Sequence, residues 1–97
     1  MDRDTAIRML LAHEAELRRL GVQHLYLFGS TARDEAHADS DVDLFFDGEW
    51  NRLSLFDIME IQESTARILG CETDTIARSC LHPVLREHIE KSARMVF

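Results

Sequence analysis

The sequence predicts one small α/β domain, of the α+β kind, in which helices pack on a small mixed sheet. Segments with helical spacing alternate with short strand-like runs in the order α-β-(short α)-β-α-β-α-(β). Glycines stand where several of these segments should end. The 97 residues leave room for one core, so we expect residues 1–97 to form a single domain.

The first half of the chain predicts a helix, a strand, a helical turn and a second strand. Residues 4–20 place leucine and isoleucine along one stripe, and Gly21 is positioned to end that helix. Residues 24–28 form an apolar run that predicts a buried strand. Residues 31–35 fit about one helical turn, and residues 41–46 begin with strand-like alternation.

The second half predicts two helices and two strands. Residues 54–57 resemble a capping box that opens a helix, and Gly70 offers a left-handed stop. Residues 71–76 should form the third strand. Pro83 fits the first position of the last helix, and residues 95–97 could add a short terminal strand.

Composition and charge limit the classes of partner that the chain is expected to bind. The chain has 11 Lys and Arg against 18 Asp and Glu, and its net charge of −7 would repel a nucleic-acid backbone. No apolar run approaches the roughly 18 residues that cross a bilayer, so we expect a cytoplasmic protein with no membrane partner. Cys71 and Cys80 lack metal-ligand spacing and are interpreted as reduced thiols. A domain this small favours self-association or a partner subunit.

Two aspartates mark the start of the second strand. Asp41 and Asp43 are two residues apart, so on a strand they project to the same face. Two such anions repel each other unless a cation lies between them. Hard divalent ions of the Mg²⁺ type prefer carboxylate oxygens, and phosphoryl-transfer sites commonly hold two of them about 3.5–4 Å apart. The pair therefore predicts a site for two Mg²⁺ ions.

A phosphate-binding turn is predicted just upstream. Gly29 and Ser30 end the first strand and begin a helical turn, where main-chain N–H groups and a hydroxyl can meet a phosphate. Arg33 lies in the same turn and could add a bidentate contact to a phosphate oxygen.

A third carboxylate would complete the predicted catalytic set. It would bind metal or help to deprotonate an acceptor hydroxyl as that oxygen attacks a phosphorus atom. Asp74, on the third strand, is our first choice. Glu72 lies on the same face and is the alternative if the strand register differs by two residues.

The segment GSTARDEAHADSDVDLFF, which begins at Gly29, resembles the GSxARxxxxxxSDxDL signature of the DNA polymerase β-like nucleotidyltransferase superfamily, in particular its minimal (MNT) members. The resemblance extends to the order of elements and so implies the nucleotidyltransferase fold. It also implies that Gly29 and Ser30 bind the triphosphate, that Asp41 and Asp43 ligate Mg²⁺, and that Asp74 is the later third carboxylate.

The chain departs from the family pattern at two places. Asp34 stands where relatives usually have glycine after the arginine, and it adds a negative charge near the predicted phosphate site. The third strand, residues 72–76, is more polar than the apolar-Asp-apolar pattern of relatives.

The resemblance also suggests a biological setting. Minimal nucleotidyltransferases are typically paired with a HEPN-family protein, often as antitoxin and toxin. This implies transfer of AMP from ATP to a tyrosine of a HEPN-type partner. Two alternatives remain open: a catalytically weak or inactive subunit that neutralises its partner by contact, and a homodimeric enzyme that nucleotidylates a small hydroxylated molecule.

Overall fold

The computed structural model describes residues 2–32, 41–49 and 53–97, which contain a four-stranded sheet and its helices. The elements in chain order are α1 (Arg3–Leu11), α2 (Glu14–Arg19), β1 (Val22–Phe28), α3 (Gly29–Ala32), β2 (Val42–Gly48), α4 (Leu55–Leu69), β3 (Thr73–Ala77), a 3₁₀ turn (Arg78–Cys80), α5 (Pro83–Ser92) and β4 (Arg94–Met95). This order confirms the predicted alternation and the α/β class.

The first predicted helix is wrong in one respect, because residues 4–20 form two helices instead of one. A continuous helix would direct the His13 N–H to the carbonyl of Met9. In the structure the His13 ring Nδ1 donates to that carbonyl at 3.0 Å, and the His13 N–H donates instead to the Leu10 carbonyl, also at 3.0 Å. The side chain thus replaces the main-chain bond, and the helix restarts one residue later. Gly21, at a φ of 114°, follows α2 as predicted.

The sheet is mixed, in the order β3-β2-β1-β4. Strand β1 is antiparallel to both β2 and β4, whereas β2 and β3 are parallel. Helix α4 makes the crossover that a parallel pair requires. Strand β4 is short, but the residues after it continue to pair with β1. The Val96 N–H donates to the Leu25 carbonyl at 2.8 Å, and the Leu25 N–H donates to the Phe97 carbonyl at 3.1 Å.

The two faces of the sheet have different roles. Apolar side chains of α1, α2 and α4 join those of one sheet face in the main core; fully buried members include Leu10, Leu17, Leu27, Leu44 and Ile61. In β2, Val42 and Leu44 point into this core, so the strand period directs Asp43 and Phe45 to the opposite face. The acidic side chains predicted for the site therefore lie away from the helical core.

Local signals position the last helices. At the start of α4, Ser54 and Asp57 form the predicted capping box, and Gly70 ends the helix in the left-handed region at a φ of 68°. Pro83 opens α5 as predicted, and the His82 ring accepts the Val84 N–H at 3.2 Å. In the described ranges, every helix is too short or too polar to cross a bilayer.

Candidate active site

Asp43 and Asp74 lie side by side on the parallel strands β2 and β3. They are register partners, and adjacent strands are about 4.8 Å apart. Residues opposite each other in neighbouring strands project to the same face. Asp43 is half-buried, whereas Asp74 is exposed. The structure thus brings two of the three predicted carboxylates to one sheet face.

The turn after β1 lies directly against the Asp43 carboxylate. Gly29 begins α3 with a φ of 76°, and its neighbour Phe28 pairs with Asp43 across the antiparallel strands. A methyl group built on Gly29 would overlap Asp43 Oδ2 and lie 3.2 Å from the carboxyl carbon. Glycine is therefore required here for two reasons: the left-handed backbone, and the close approach of a carboxylate.

Asp41 and Glu72 occupy equivalent places just before their strands. Asp41 is exposed and immediately precedes β2. The Glu72 carbonyl accepts the Val42 N–H at 3.2 Å, so the parallel register places Glu72 level with Asp41. Asp74, our first choice for the third carboxylate, is thus the acidic residue of β3 beside Asp43.

The remaining predicted residues lie around the turn. Ser30 is the second residue of α3 and is half-buried. Arg33, predicted to contact a phosphate oxygen, falls outside the described residues.

The carboxylate pair fits a hard divalent cation by the chemistry of its donors. Asp43 and Asp74 carry carboxylate oxygens, the kind of ligand that Mg²⁺ prefers, and Gly29 allows the main chain to approach the Asp43 carboxylate closely. Within residues 2–32, 41–49 and 53–97, no three His, Cys, Asp or Glu side chains are gathered as one ligand set. Asp41, Asp43 and Asp74 therefore do not converge as a preformed triad.

An aromatic cluster with an arginine covers the same sheet face beyond the carboxylates. Tyr26 and Phe45 stack with ring centroids 4.8 Å apart. The Arg78 guanidinium lies 4.8 Å from the Tyr26 centroid, and its Nε is 2.8 Å from Asp47 Oδ1. Nothing in the local sequence around Arg78 distinguishes it from a surface arginine, so these contacts could not be predicted. Through its contact with Asp47, Arg78 connects the turn that follows β3 to strand β2.

Comparison with known proteins identifies the family. Residues 11–96 match the model of the nucleotidyltransferase domain. The chain belongs to the nucleotidyltransferase domain family. Protein adenylyltransferase MntA of Thermococcus cleftensis is 42% identical over 74 residues, which are 75% of this chain and 74% of that relative. The predicted family and enzyme class are confirmed.

Solved structures agree on the nucleotidyltransferase fold. One, named provisionally as a minimal nucleotidyltransferase, has a TM-score of 0.83 and 33% identity, covering 97% of this chain and 95% of its own. Another chain comes from a complex of tri-AMPylated Shewanella oneidensis HEPN toxin with MNT antitoxin. It has a TM-score of 0.66 and 18% identity, covering 94% of this chain and 71% of its own, and at that identity it supports the fold alone.

Proposed function

We propose that this nucleotidyltransferase transfers AMP from ATP to a tyrosine hydroxyl of a HEPN-type partner protein and so acts as an antitoxin. The observation that carries the proposal is the pairing of Asp43 with Asp74 beside the Gly29 turn. The relative named as a protein adenylyltransferase supports AMP transfer to a protein, and the HEPN–MNT complex in which a chain of the same fold occurs suggests the HEPN-type partner.

Each predicted residue has a role in this proposal. Gly29 and Ser30, with Arg33, would bind the triphosphate of ATP. Asp41, Asp43 and Asp74 would hold two Mg²⁺ ions. The ions would neutralise phosphate charge and stabilise the negative charge that develops during transfer.

The reaction balances as a substitution at the α-phosphorus of ATP. The tyrosine oxygen forms a new bond to that phosphorus, while the bond to the oxygen bridging to the β-phosphate breaks and pyrophosphate leaves. Asp74 is exposed beside Asp43, and a carboxylate at that place could accept the hydroxyl proton. Asp43, half-buried against Gly29, is better suited to a fixed ligand position than to proton transfer.

A labelling experiment tests the proposal. The chain is incubated with Mg²⁺, ATP labelled on the α-phosphate and, as the candidate HEPN-type partner, the protein encoded by the neighbouring gene. We expect label on the partner, and Asp43→Asn or Asp74→Asn should reduce the labelling rate at least about a hundredfold, since even outer-shell changes at metal sites cost about 10–100-fold. Glu72→Gln is the matched control and should remain close to wild type. An unlabelled partner would reject the proposal, and a loss in Glu72→Gln alone would move the third carboxylate to Glu72.

The second candidate is a binding subunit that neutralises its partner by contact. It is favoured by the absence of a gathered carboxylate triad in the described ranges and by Asp34 in place of the usual glycine. Neutralisation of the partner in growing cells distinguishes the two functions. A chain carrying both Asp41→Asn and Asp43→Asn would still neutralise if contact is sufficient, and it would fail if transfer is required.

A further inference from the structure

Strand β3 is an edge strand, so half of its main-chain hydrogen-bonding groups face away from the sheet. In a parallel pair, alternate residues bond to the neighbouring strand. The Glu72 carbonyl accepts the Val42 N–H at 3.2 Å, which directs the main-chain groups of Glu72 and Asp74 toward β2. The main-chain groups of Thr73 and Thr75 therefore face the free edge.

The side chain of Gln62 in α4 fills that edge. Its Oε1 accepts the Thr75 N–H at 2.6 Å, and its Nε2 donates to the Thr73 carbonyl. Nε2 also lies 3.3 Å from the Thr73 hydroxyl. These are the two main-chain groups that another strand would bond on either side of Asp74. One side-chain amide thus takes the place of the missing strand.

Thr65, one turn further along α4, contacts the same strand in a different way. It is fully buried, and its hydroxyl lies 2.8 Å from the Thr75 hydroxyl and 3.2 Å from the Thr73 hydroxyl. Its partners on β3 are therefore side chains that point into the helical core. Gln62 contacts the main chain of β3, whereas Thr65 supports only the packing of β3 on α4.

We propose that Gln62 is a positioning residue that holds Asp74 level with Asp43. The inference rests on the proposed function, in which Asp74 is the third carboxylate. The Asp74 main chain is bonded toward β2, and Gln62 bonds the residues on both of its flanks. Without the amide, an edge strand of five residues has unpaired polar groups that admit water, and its local opening becomes easier. The Asp74 carboxylate then spends less time beside Asp43.

Replacing Gln62 with Met tests this role, because Met has similar length but no strong hydrogen-bonding groups. Thr65→Val is the control, since it removes the hydroxyl contacts to β3 and those within α4 but leaves the Gln62 bonds to the β3 main chain in place. Two quantities are measured without nucleotide: the hydrogen-exchange rate of the Thr75 amide, and the affinity for Mn²⁺ from the paramagnetic signal of the free ion. We expect Q62M to exchange at Thr75 about tenfold faster and to bind Mn²⁺ about tenfold more weakly. T65V should bind Mn²⁺ within about twofold of wild type.

The outcomes separate the inference from the function on which it rests. Equal Mn²⁺ affinity in Q62M and T65V would overturn the positioning role, provided that Asp74→Asn weakens binding. A wild-type chain that binds no Mn²⁺, or a D74N chain that binds it normally, would overturn the role of Asp74 and with it this inference. If Q62M does not fold, Gln62→Asn, whose amide is too short to reach both main-chain groups, provides the same comparison.

Discussion

Replacing Gly29 with alanine would test whether the turn after β1 holds the Asp43 carboxylate in place. Alanine at a φ of 76° costs about 1–2 kcal/mol, because the left-handed region brings Cβ too close to the following carbonyl oxygen. The new methyl group would also overlap Asp43 Oδ2 and lie 3.3 Å from Asp43 Cβ. Since Oδ2 is the end of a side chain, we expect the carboxylate to rotate away while the strand remains paired.

Gly70→Ala provides a matched control for the backbone strain. Gly70 has a φ of 68°, and a methyl group there would meet no atom within 4 Å. Both variants should therefore lose about 1–2 kcal/mol of unfolding free energy. For a domain of this size each kcal/mol lowers Tm by about 4–8 °C. Only the Gly29 variant displaces Asp43.

The assay is Mn²⁺ binding at a temperature where both variants are folded. We expect G29A to bind about 10–100-fold more weakly than wild type, the range seen when support for a metal ligand is lost. G70A should bind as wild type does. If folded G29A matched G70A in Mn²⁺ affinity, the contact between Gly29 and Asp43 would have no part in metal binding.

Two further predictions concern the helices. Ser54→Ala removes the acceptor for the Asp57 N–H in the capping box. We expect urea titration to show that the free energy of unfolding falls by about 0.5–2 kcal/mol. Glu63→Ala, at an exposed position in α4, is the control, and an equal loss in both variants would contradict the prediction. The hydrogen bond from Arg67 holds the pKa of the Glu16 carboxyl below its usual range. Because the depressed pKa belongs to the folded state, the ion pair contributes to the free energy of unfolding at neutral pH. This contribution is lost as the pH falls below about 4. The stability difference between wild type and Arg67→Ala should shrink over that interval and in about 1 M NaCl, whereas a difference independent of pH would refute the assignment.

Helix signals were the most predictable part of the fold. The start and end of α4 follow from Ser54, Asp57 and Gly70, because capping depends on residues within one turn of each other. The break near His13 is not evident from the sequence, because the apolar stripe that Glu14 interrupts resumes at Leu17. A bond from a side chain to the carbonyl of Met9 leaves that periodicity unchanged, so hydrophobic spacing could not reveal it.

By itself the sequence determined the glycine turn, the spacing of Asp41 and Asp43, and the alternation of helices and strands, because each depends on neighbours within a few residues. Only the tertiary structure decided that Asp74, and not Glu72, lies beside Asp43. It also decided that Gln62 covers the free edge of β3. Register between strands depends on how the crossover helix packs against the sheet, and a shift of two residues leaves the alternation of faces unchanged. Periodicity alone therefore cannot distinguish the two acidic residues.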